Sequence, residues 1–124
     1  MTKVFKNTSF SSSEKIIISI LDNSPNPIFV KDEQHRWVYI NKKFCDIFGL
    51  SEEELIGKSD YDFFPKEQAD IFWEKDEVVF ADGKENENIE LLTDSKGLIR
   101  TIATKKTLLQ DTEGNKLLVG TIHD

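Results

Sequence analysis

The sequence predicts an α+β fold: a five-stranded antiparallel sheet, helices packed on one face, and a flanking helix at the N-terminus. Three observations carry this. Apolar residues fall at helical spacing before residue 22, again at 44–48, and along 65–81. Five shorter runs, two before the middle helices and three after them, are rich in β-branched and aromatic residues. Tight turns join consecutive runs, which makes the strands they connect antiparallel. Helix, two strands, several helices and three strands is the order of an α+β domain. The 124 residues suffice for one core.

The elements follow in order. Met1–Phe10 shows no periodicity and reads as a frayed end. Ser11-x-x-Glu14 fits a capping box. Behind it Ile16, Ile17, Ile20 and Leu21 form one apolar stripe, with Ile18 beside it. Pro25 and Pro27 end that helix by Asn23. Ile28-Phe29-Val30 reads as a strand, Asp32-Glu33-Gln34-His35 as a turn and Trp37-Val38-Tyr39-Ile40 as the returning strand. Asn41 can cap the next helix, where Phe44, Ile47 and Phe48 share a face and Gly49 is the stop. Ser51-x-x-Glu54 is a second capping box, opening a short helix with Leu55 and Ile56.

Gly57-Lys58-Ser59-Asp60-Tyr61-Asp62-Phe63-Phe64-Pro65 is the densest stretch in special residue types. It reads as a corner over the core, with Ser59 or Asp60 as a helix cap and three aromatics seeking cover. Pro65 opens the longest helix, over 65–81. Ala69, Phe72, Trp73, Val79 and Phe80 build its buried side, and Asp76 shares their stripe. Residues 87–93, 98–109 and 117–122 are the last three strands. Asp94-Ser95-Lys96-Gly97 and Asp111-Thr112-Glu113-Gly114-Asn115 are the turns between them.

Composition removes several function classes. A net charge of −7 opposes nucleic-acid binding, which needs a basic face. No run approaches the roughly 18 apolar residues of a membrane span, and no signal peptide is legible. A single cysteine excludes an internal disulfide and suits a reducing, cytoplasmic setting. No catalytic constellation is visible, so the segment is expected not to be an enzyme. His35 and His123 stand in a turn and at a strand end, without a metal-ligand or nucleophile partner at useful spacing. Asp60 and Asp62, beside aromatics at a cap, read as hydrogen-bonded to backbone.

The corner stretch resembles the Gly-Lys-Ser/Thr-Asp-x-Asp-x-Phe-Pro segment of PAS domains, sensory modules of bacterial and archaeal signalling proteins. Asn26-Pro27-Ile28-Phe29-Val30-Lys31-Asp32 is similar to the family's first strand and exit turn. Tyr39-Ile40-Asn41-Lys42-Lys43-Phe44-Cys45-Asp46-Ile47-Phe48-Gly49-Leu50 is similar to its second strand and following helix. Asp111 to Asp124 resembles its last hairpin. The four matches cover about four-fifths of the chain in the family's order.

The resemblance implies a tail and flanking helix at 1–24 and a PAS domain at 25–124, with the first two strands at the centre of a curved sheet. It implies a small pocket between sheet and helices, with Phe44, Phe48, Tyr61, Phe72, Val79, Ile102, Thr104 and Lys106 as its walls. Lys106 interrupts an otherwise apolar strand face. It could reach solvent along its stem, pair with Asp60 or Asp76, or meet a ligand carboxylate. Asp60 is expected to hold the corner, either as a cap or as the partner of Lys106.

No cofactor is expected. The flavin-cysteine motif of light-sensing members is absent, since Cys45 lies earlier, on a helix. The haem-ligating histidine of other members is absent from the long helix. The apolar stripe of Ile16, Ile17, Ile20 and Leu21 either forms a homodimer contact, as N-terminal helices often do in the family, or covers the outside of its own sheet. The resemblance further implies a helical linker after Asp124 to an output domain such as a histidine kinase or diguanylate cyclase. The function implied is perception of a small ligand or partner domain. The alternative is an architectural domain whose nine phenylalanines fill its own cavity.

Overall fold

The structure is a computed structural model that describes residues 11–123, the side chain of Glu14 excepted. The tail at Met1–Phe10, the Glu14 half of the first capping box and Asp124 lie outside the described residues.

The elements run α1 (Ser12–Asp22), β1 (Ile28–Lys31), β2 (Trp37–Ile40), α2 (Lys42–Phe48), α3 (Glu52–Leu55), a single 3₁₀ turn (Asp60–Asp62), α4 (Lys66–Asp82), β3 (Asn86–Thr93), β4 (Ile99–Gln110) and β5 (Lys116–His123). The five strands form one antiparallel sheet in the order β2-β1-β5-β4-β3. The first two strands are therefore not both central. β5 inserts beside β1, pairing Ile28 with Thr121 and Lys31 with Leu118, and this leaves β2 at the edge. The corner stretch covers that edge: the amide of Trp37 donates to the carbonyl of Lys58, and the amide of Gly57 donates back to Trp37. Gly57 turns the chain there at φ +86°, a left-handed conformation that side chains disfavour. An edge strand so occupied offers little template for another chain.

Asn41 ties the N-terminal half together. Its side chain accepts the amides of Phe44 and Ile28, and donates to the carbonyls of Leu21 and Asn26. The cap expected for α2 is thus also the joint that holds the end of α1 to the sheet. On α1, Ile16, Ile17 and Ile20 are exposed, whereas Leu21 is half-buried. Leu21 consequently leaves the outward stripe in which it was expected.

The core lies between the sheet's inner face and helices α2 and α4. Phe29, Trp37, Phe44, Phe64 and Phe72 are buried in it, with Phe48 and Phe63 packed alongside. Phe29, Gly120 and Lys106 are paired neighbours in one row across β1, β5 and β4. The Phe29 ring lies over Gly120 so closely that an added Cβ would stand 2.2 Å from Phe29 Cζ. Glycine at that position is a packing requirement.

Candidate functional site

Five buried charged side chains form a continuous cluster along the cavity wall. Lys31, at the end of β1, sets its Nζ 2.6 Å from Asp60 Oδ2 and 2.6 Å from Asp76 Oδ2. Asp76, in the buried stripe of α4, meets Lys106 Nζ at 2.9 Å through Oδ1. Lys106 continues to Glu90 Oε2 at 3.2 Å, and Thr104 Oγ1 donates to Glu90 Oε1 at 2.9 Å. Every member is 4% exposed or less, so water does not screen these contacts. The chain of contacts joins the corner, β1, α4, β4 and β3.

Charge partnership decides the protonation states. Burial pulls the Lys31 ammonium down, but Asp60 and Asp76 outweigh it and hold its pKa above the ordinary lysine value. Burial likewise pushes Asp76 up, and Lys31, His35 and Lys106 together bring its carboxyl far below the usual range. For Asp60, burial and the neighbouring Asp76 raise the carboxyl against the pull of Lys31.

Of the readings open for Lys106, the structure has the internal ion pair: Lys106 is 2% exposed and paired with Asp76, and also with Glu90. Asp60 does hold the corner, but through Lys31 rather than Lys106, while Asp62 accepts the backbone amide of Ser59. The sequence does not single out Lys31 or Glu90. Lys31 reads as the first polar residue of an exit turn. Glu90 alternates with Ile89 and Leu91, so period-two reasoning would place the apolar pair inward; the structure points Glu90 inward and leaves Ile89 72% exposed.

The cluster edges a cavity of about 30 Å³, measured as space for the centre of a water molecule, which is room for about two waters. Of the expected walls, Phe44, Phe72, Ile102, Thr104 and Lys106 surround it, together with Phe29, Trp37 and Phe64. Phe48 stands behind them, its ring 5.1 Å from Phe44 and 5.3 Å from Phe64. Val79 is buried on α4 but does not line the space. Tyr61 lies outside it: the ring is 44% exposed, tilts against Trp73, and its hydroxyl donates to Asp70. The 3₁₀ turn causes this, since it faces Asp60 inward and its neighbour outward.

His35 stands in the β1–β2 turn as expected, but its surroundings were not legible from the sequence. It is fully buried under α4, with its ring stacked on Trp73 at 3.6 Å and 4°. Nε2 lies 2.5 Å from Glu77 Oε2, and Nδ1 lies 3.6 Å from Asp76 Oδ2. Sequence spacing hides such contacts: Glu77, for one, is 42 residues away. Cys45 is half-buried, and burial pushes its thiol up to about 11, far from a reactive thiolate. Among the described residues, no group of three His, Cys, Asp or Glu side chains is arranged to hold a metal, and no helix is long and apolar enough to cross a membrane.

Comparison with known proteins places this geometry. The model of the PAS fold family matches residues 18–124. An uncharacterized protein of Sinorhizobium fredii, y4lL, is 34% identical over 97 residues, which cover 78% of this chain and 12% of that protein. The methanogenesis regulatory histidine kinase FilI of Methanothrix harundinacea is 35% identical over 75 residues, covering 60% of this chain and 8% of the kinase. The chain therefore spans about a tenth of these curated relatives. The crystal structure of the PAS domain of an HTR-like protein from Haloarcula marismortui superposes with a TM-score of 0.75 at 19% identity, over 90% of this chain and 91% of that one.

Proposed function

The chain belongs to the PAS family, and from that premise we propose that it is the sensory, signal-coupling module of a longer cytoplasmic signalling protein, such as a histidine kinase. The segment itself is not catalytic. A stimulus that favours one arrangement of the cavity wall shifts the population of β4 and β5, and with them whatever follows β5. Dimerisation through Ile16, Ile17 and Ile20 would set two outputs side by side.

The observation that carries this reading is the ionic cluster at the cavity. A buried ion network is poor at raising stability, because well-packed apolar side chains of similar volume often do as well or better. Its value lies in having more than one charge state or pairing. Lys106 stands beside Gly120 on β5, and Lys31 beside Leu118, so a change in the cluster acts directly on the last strand. A ligand for this cavity would be small, with a polar head toward Thr104, Lys106 and Glu90 and an apolar body toward the aromatic rings. Neither haem nor flavin belongs to this reading; purified protein should be colourless.

A second reading is favoured by the cavity's size. Two waters' worth of space suits a domain whose own aromatics fill it and which only couples neighbours. A chimeric histidine kinase carrying this chain in place of its own PAS segment separates the two. Lys106→Met should change autophosphorylation severalfold if the cluster transmits a signal. Autophosphorylation unchanged by both Lys106→Met and Lys31→Met, in folded protein, sinks the sensory reading and leaves the architectural one.

A further inference from the structure

We infer that His35 is a proton-binding latch: its imidazolium clamps the β1–β2 turn onto α4, and loss of that proton releases the turn and unbalances the buried cluster. The inference rests on the sensory reading for where the signal goes, but not for the proton site itself.

Geometry specifies the charged ring. Both nitrogens face carboxylates, Nε2 toward Glu77 at 2.5 Å and Nδ1 toward Asp76 at 3.6 Å. A neutral imidazole has one N–H and one lone pair. Either tautomer would aim that lone pair at a carboxylate oxygen, and no water reaches a ring that is 0% exposed to screen it. Nδ1 makes no hydrogen bond as it stands, so it is a buried polar atom aimed at the cluster. The face of the ring lies flat on the Trp73 indole, a position that favours a cation.

The charges of the neighbourhood agree. Lys31 and Lys106 face three carboxylates, Asp60, Asp76 and Glu90, so carboxylates outnumber cations in the cluster. An imidazolium on His35 adds a cation on the side of Asp76. The groups that bear on the ring are Asp76 and Glu77 from α4, which favour the proton, and Lys31 from β1, which opposes it. Trp73 and Phe80, also from α4, complete the enclosure without titrating. Burial would lower the ring's pKa, but the two carboxylates outweigh it, and the net direction is upward from the ordinary value near 6.5.

The turn is built to move when the clamp opens. His35 holds φ +64°, which a non-glycine residue keeps only under constraint. Its amide donates to the carbonyl of Asp32, and Asp32 Oδ1 accepts the amides of Gln34 and Arg36, so the turn is a small rigid body. Glu77 is 57% exposed, so bulk water lies directly beyond the hydrogen bond that holds Nε2. Because the native pKa is raised, the stabilisation is fully present below the unfolded value and is lost as pH rises through the native one.

Long-range ¹H–¹⁵N spectra of the 124-residue chain, from about pH 5 to about pH 9, test this directly. The imidazolium pattern of His35 should persist above pH 6.5, the ordinary midpoint, and its loss should move the Trp73 indole signal in the same transition. Glu77→Gln changes a surface group and keeps the fold; it should lower the His35 midpoint by about one pH unit. A single neutral tautomer throughout, a midpoint at or below the ordinary value, or a titration that leaves Trp73 unmoved overturns the latch. In the kinase chimera, output that changes with pH and flattens in His35→Asn extends the latch to signalling. A latch that titrates while the chimera's output stays flat counts against the sensory reading and leaves the proton site standing.

Discussion

Beside its apolar core, this domain holds one region inside and one outside that exchange the usual residue types. Inside, Lys31, Asp60, Asp76, Glu90 and Lys106 are nearly inaccessible. Outside, Ile16, Ile17 and Ile20 on α1 and Ile89, Leu91, Ile99 and Leu109 on the sheet are each more than half exposed. Strand β3 shows the reversal within three residues, since Glu90 is 4% exposed between Ile89 and Leu91. The charges tolerate burial because each finds an opposite charge there. The apolar groups outside are exposed among the described residues. For the buried charges, partnership decides the side on which a residue sits.

Substitutions inside should therefore dominate. Asp76→Asn strips the common partner from Lys31, Lys106 and His35, and should cost about 3–5 kcal/mol in denaturant unfolding. Adding Lys106→Met should recover part of that loss; no recovery would mean that the cluster does not act as a unit. Asp60→Asn should cost less, about 1–3 kcal/mol, because Lys31 keeps Asp76. If Asp60→Asn costs as much as Asp76→Asn, the corner and α4 are not ranked as the geometry implies.

Gly120→Ala tests the tightness of the same face without touching charge. The added methyl would meet the Phe29 ring, and about 1–3 kcal/mol should be lost. A neutral result would show that Phe29 can move aside. On the outer face, Ile17→Lys with Ile20→Lys should change chain stability by no more than about 0.5 kcal/mol, yet should abolish self-association seen by light scattering. A monomer before the change, or a dimer that survives it, removes α1 as the contact. Tyr61→Phe, which alters only a surface hydroxyl bonded to Asp70, should be the smallest effect, within about 0.5 kcal/mol.

Local pattern alone determined most of the fold. The spacing of Ile16 to Leu21, the Ser51–Glu54 box, Asn41, Pro65 and the glycine-bearing turns each act within a few residues, and each marked an element the structure contains. Part of the cavity wall was legible for the same reason: Ile102, Thr104 and Lys106 alternate onto one strand face whatever the sheet order. Strand order was not legible, because β1 can pair with β5 only once some 90 residues have folded between them. Nor was the buried cluster. A lysine at a strand's end, a glutamate in an alternating run and a histidine in a turn each look like surface residues until their partners arrive from the corner, α4 and β4. Burying a charge is prohibitive alone and tolerable in company, and the company is supplied only by the tertiary structure.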